Sequence, residues 1–169
     1  MKILIGFVLG IVVVIAGAFL YFSMGLAPVA ASAPPMPFER QLAGMALHKA
    51  IDKDAPKHVP LPVDEANLTA GAQVYRDQCA VCHGLGGQAE TAIAKGMFPH
   101  PPQLFKGHGV TDDPPGETYW KAANGIRLTG MPGYKASLTD TQLWQVSLML
   151  ANADKLPAAA KAIAGEFGK

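Results

Sequence analysis

The residues with the most chemistry to offer are Cys79, Cys82 and His83, in the run Cys79-Ala80-Val81-Cys82-His83. Two thiols three positions apart, with an imidazole directly after the second, form the attachment signature of a c-type haem. The thiols add across the two vinyl groups of the porphyrin as thioethers. The imidazole is then held under the iron as an axial ligand. Other uses of these residue types fit less well. Zinc takes about four protein ligands, and only these three cluster in the sequence. A thioredoxin-type pair expects a βαβ setting, and no strand-rich pattern flanks the motif. A plain disulfide leaves His83 without a role.

A six-coordinate iron needs a second ligand, and methionine or histidine are the usual choices. Met131 is the candidate. It sits in Thr129-Gly130-Met131-Pro132-Gly133, where glycines and proline shape a loop that turns the thioether inward. Met97 is a weaker candidate, and Met36 and Met45 precede the domain. The histidine alternatives are His48, His58, His100 and His108, with His108 the first to test. A His/Met iron sits at higher potential than a His/His iron, because the soft thioether favours Fe(II).

The elements that position these groups read as helices and loops. Asn67 to His83 forms a helix capped by Asn67 or Thr69, whose side chains accept from free N–H groups. Gly71, Tyr75 and Cys79 follow at four-residue intervals and share a face. Gly84 to Phe98 is a glycine-rich loop with a short turn, and Pro99, Pro101 and Pro102 forbid regular helix. Glu117 to Ile126 is a short helix, and Leu128 to Lys135 a loop. Thr139 begins a last helix that buries Leu143, Val146 and Leu150. Pro157 ends it, and an Ala-rich tail occupies 156–169.

The N-terminal third is different. Ile3 to Phe22 carries no charge and spans about 30 Å as a helix, the hydrocarbon thickness of a bilayer. Residues 1–22 therefore read as a transmembrane anchor, with Lys2 on the cytoplasmic side. A cleaved signal is the competing reading, and Ala31-Ser32-Ala33 does fit a cleavage pattern. The apolar stretch, however, exceeds the usual signal core and ends far upstream of that site. Residues 23–66 form a Pro-rich linker with a helix at 38–53, either solvated or packed on the domain. Net charge is +1 and vanishes without Lys2. No basic cluster suggests nucleic acid, and steering by net charge is weak.

At these motifs the chain resembles the class I, mono-haem c-type cytochromes of bacteria, over about residues 67–155. The resemblance implies an all-α fold wrapped round one haem c, with Cys79 and Cys82 as the thioether residues. It also implies His83 and Met131 as iron ligands. A proline carbonyl, of Pro101 or Pro102, would accept from the free nitrogen of His83. Gly71 and Tyr75 match the small-plus-aromatic pattern of the family's first helix, and Trp144 the aromatic that packs against it. Tyr119, Trp120, Asn124 and Arg127 fall where the family lines the haem edge and propionates. Arg127 is either a propionate partner or solvated.

The function implied is electron carriage rather than enzymatic catalysis. The expected setting is the bacterial inner membrane, single-pass, with the haem domain in the periplasm. Donors would be a quinol-oxidising complex or a dehydrogenase, and acceptors a terminal oxidase or reductase. One alternative is a fixed haem subunit of a larger respiratory complex. Another, a haem enzyme or gas sensor with a labile distal ligand, lacks an obvious second catalytic group.

Overall fold

The uncharged N-terminal stretch forms one helix, α1 (Lys2–Ser23), with every side chain outside any core. Twenty-two residues in this helix reach about 33 Å, enough to cross a bilayer. The computed structural model describes residues 1–106 and 113–166. Among them all regular structure is helical, with no strand. The chain divides into two compact units, Met1–Leu42 and Ala43–Lys169.

Helix α2 (Glu39–Asp54) comes after the Pro-rich segment. Its last turn is not a solvated spacer: Ile51 is 1% exposed and Ala55 5%. Phe38, Leu42 and Met45 stay open to solvent.

Helix α3 (Glu65–Val74) starts two residues earlier than Asn67. Its cap is Asp64, which accepts from the Asn67 N–H at 2.8 Å. The expected caps do other work. Asn67 accepts from Gln145 at 3.1 Å, and Thr69 lies within the helix. Gly71 sets the spacing between α3 and α7 (Asp140–Ala151). A Cβ at Gly71 would collide with the backbone oxygen of Gln145, so only glycine permits this approach.

Beyond Val74 the helix widens into a π-turn, Tyr75–Cys79, before α4 (Ala80–His83). The Ala80 N–H donates to the Tyr75 carbonyl, five residues back. The wider turn rotates α4 relative to α3. Simple four-residue spacing therefore does not describe Cys79. Tyr75 stays fully buried, while Cys79 and Cys82 both reach an apolar crevice. Wide turns of this kind recur at functional sites.

Helices α5 (Ala92–Lys95) and α6 (Pro115–Asn124) flank the proline-rich loop. Pro115 opens α6, where its missing N–H costs nothing. Gly125 ends it at φ +68°, the left-handed region that favours glycine. Helix α7 begins with a reciprocal cap. Thr139 accepts from the Gln142 N–H at 3.2 Å, and the Gln142 side chain accepts from the Thr139 N–H at 2.9 Å. Its buried residues, Leu143 to Leu150 apart from Gln145, face α3 on one side and α6 on the other.

The 156–169 segment is more than a tail. Ala158–Ala164 forms α8, which packs on α3 with Ala160 and Ala164 fully buried. Small side chains let the two helices approach closely. The Gly86 N–H donates to the Ala164 carbonyl at 2.8 Å, which ties the end of the domain to the loop after His83.

Candidate functional site

The π-turn and α4 deliver Cys79, Cys82 and His83 to one side of an apolar crevice with about 690 Å³ of free space, part of it open to solvent. Met97, Pro99, Pro101, Ile126 and Pro132 add apolar wall, and Met131 lies on the same surface. A large, flat, apolar group with two sulfur attachment points fits these walls. Among the described residues no cluster of three or more His, Cys, Asp or Glu could hold a bare metal ion.

His83 is set up as a ligand. Its Nδ1 lies 2.8 Å from the Pro102 carbonyl. A carbonyl only accepts, so Nδ1 carries the hydrogen and Nε2 keeps its lone pair. Such a bond orients the ring and raises its basicity toward a metal. Burial pushes the His83 pKa below its usual value, partly offset by that hydrogen bond, so the ring is neutral as a ligand must be. Burial, with the Cys82 thiol beside it, pushes the Cys79 thiol up to about 12. The crevice thus favours an uncharged sulfur, which a thioether is.

The choice between the two prolines has a physical answer. The Pro102 carbonyl serves His83, while the Pro101 carbonyl accepts from His100 Nδ1 at 3.0 Å. His100 Nε2 in turn lies 3.4 Å from Glu90. His48 and His58 are exposed and away from the crevice, and His108 falls outside the described residues.

The Met131 loop is held by short bonds. The Met131 N–H donates to Thr129 Oγ1 at 3.1 Å, and the Ile126 N–H to the Met131 carbonyl at 3.2 Å. A Cβ on Gly125 would sit 2.5 Å from the Gly133 nitrogen, so the loop folds back tightly on the end of α6. Met97 packs its methyl against Gly130. Both candidate methionines therefore occupy this side of the crevice.

Residues 66–148 match the family described as cytochrome c oxidase, cbb3-type, subunit III. They form a class I, mono-haem c-type cytochrome domain. No curated protein sequence matches the chain. A chain of the reducing HAO-like protein complex of Kuenenia stuttgartiensis is similar in structure, at 22% identity and a TM-score of 0.46 over 60% of this chain. The present chain spans 52% of that protein's length.

The four residues expected at the haem edge are not crevice walls. Tyr119 turns toward α7, where its hydroxyl donates to Asp140 and its ring stacks on Trp144 at 4.2 Å and 19°. Trp120 is half-buried, and Arg127 is exposed. Asn124 is exposed and donates to the Trp120 carbonyl at 2.9 Å. The aromatic partners also differ from expectation. Trp144 pairs with Tyr119 of α6 rather than with α3, and Tyr75 pairs with Phe105 at 5.1 Å. At Gly71 the Gln145 backbone and the Met149 side chain fill the α3–α7 crossing.

The sequence reading missed Ala122, Ile126 and Tyr134 as crevice residues. Ala122 and Ile126 sit four apart at the end of α6, a spacing that could have marked them as one face. Tyr134 has no such signal, because a loop has no period.

Proposed function

We propose that this chain is a membrane-anchored carrier of single electrons, with haem c held by Cys79 and Cys82 and ligated by His83 and Met131. The observation that carries this reading is the His83 ring. Its Nδ1–H is committed to the Pro102 carbonyl, and its lone pair remains for iron at a crevice shared with both cysteines and Met131. Bound there, the haem would supply a one-electron Fe(III)/Fe(II) couple. The protein's part would be to hold the haem through Cys79, Cys82, His83 and Met131, exclude water and keep those side chains in place through each cycle. The helix α1 supports an inner-membrane location with the domain in the periplasm. A tether of that kind raises the local concentration of redox partners without adding contacts. The partners proposed are a quinol-oxidising complex or dehydrogenase as donor and a terminal oxidase or reductase as acceptor.

Ferric and ferrous absorption spectra of the extracted protein, with and without carbon monoxide, test this. A methionine-to-iron charge-transfer band and no carbon monoxide shift are expected. A shift in the native protein would overturn the closed site and favour an enzyme or sensor.

A second reading, a fixed subunit of a larger respiratory complex, is favoured by the matched family's description as an oxidase subunit. Mild detergent extraction and then size exclusion separates the two. A carrier migrates alone, and a subunit elutes in a stoichiometric assembly.

A further inference from the structure

The Met131 loop and the cysteine-bearing segment meet at a polar contact in the crevice wall. Tyr134 lies three residues beyond Met131, and its hydroxyl donates to the Gln78 carbonyl at 2.9 Å. Gln78 immediately precedes Cys79 inside the π-turn. Gln78 and Tyr134 both wall the crevice. The rest of Tyr134 is anchored as well. Its N–H donates to the Ala122 carbonyl at 2.9 Å, and its ring packs on Ala122, Ala123 and Leu143. By contrast, the bonds of Thr129 and Ile126 to Met131 run within the loop and shape it without tying it to the motif. The far end of the motif has its own clamp, with the Tyr75 hydroxyl donating to the Gly84 carbonyl at 2.5 Å. Tyrosine hydroxyls thus bracket Cys79–His83, and the one from Tyr134 comes from the loop that carries Met131. Burial raises the Tyr134 pKa, so the hydroxyl remains a donor at neutral pH.

We propose that Tyr134 is a positioning residue whose hydroxyl latches the Met131 loop closed over the crevice and so keeps the distal thioether in place as a ligand. The proposal rests on the haem reading above. A diatomic ligand reaches the iron only when Met131 leaves. A bond present in the closed loop and absent in the open one sets how often that happens.

The test is Tyr134→Phe in the full-length holoprotein, which removes one oxygen and keeps the ring. Carbon monoxide uptake by the ferrous protein is expected to quicken about tenfold, the equivalent of about 1.4 kcal/mol. Amide exchange is expected to quicken at residues 126–135 and to stay unchanged in α7 and α8. Tyr119→Phe removes a hydroxyl away from the crevice and is expected to take up carbon monoxide at the wild-type rate. Uptake by Tyr134→Phe as slow as wild type overturns the latch. So does exchange that quickens equally through α7 and α8, which marks a general loss of stability. If the wild-type spectrum lacks the methionine band, the ligand assignment fails on its own. The latch is then judged by exchange, upheld by a loss of protection confined to 126–135 and overturned by a wild-type pattern.

Discussion

At the scale of single residues, the motif carries its chemistry openly, but the support around it does not. Met131→Ala is expected to open the iron to carbon monoxide. It should also lower the potential by a sizeable part of the about 0.8 V that axial ligands span. A redox titration checks this, and an unchanged potential would point to Met97 instead. Tyr119 yields a prediction against pH. Its hydrogen bond to Asp140, then burial, pushes the phenol up to about 12 from an ordinary value of 10.0. A raised folded pKa stabilises below the unfolded one and is lost as pH climbs through the folded one. The stability gap between wild type and Tyr119→Phe is therefore expected to hold to about pH 10 and close toward pH 12. Denaturant titrations across that range measure it, and a gap that persists at pH 12 would refute the pairing. Nothing in the local sequence reveals this bond, because Tyr119 and Asp140 meet only through the α6–α7 crossing.

At the scale of elements, hydrophobic periodicity located most of the longer helices, whereas the cap of α3 fell at Asp64 rather than at Asn67 or Thr69. Thr139 and Gln142 form a cap whose logic lies in four consecutive residues. Thr139→Ala is expected to cost about 1 kcal/mol, seen as a lower denaturant midpoint. The π-turn escaped the same reading. Gly71, Tyr75 and Cys79 keep four-residue spacing in sequence, but the turn from Tyr75 to Cys79 is widened by a residue, which that spacing does not reveal. Gly71 is legible as small, and its reason becomes visible only with α7 against it. Gly71→Ala would push a methyl into rigid backbone. The expected loss is about 2–3 kcal/mol, a fall in Tm of roughly 5–10 °C. A smaller fall would mean that α3 and α7 can separate at little cost.

At the scale of the whole chain, hydropathy alone marks α1, and the proline run marks where the regular helix stops. A chain beginning near Ala33 is expected to be soluble and to keep the full-length absorption spectrum, while the intact chain sediments with membranes. Full-length protein in the soluble fraction would remove the anchor. The end of the chain was harder to read, since a run of alanines says little about burial until a partner helix is known. That end has a consequence for biogenesis. Synthesis proceeds from the N-terminus, so the cysteine motif emerges well before Ala164 arrives to receive the Gly86 N–H. Until then the loop after His83 lacks its tie to helix α8. Helix α8 follows the cysteine motif in the chain, so its bond to the loop after His83 forms only once both thiols have been made.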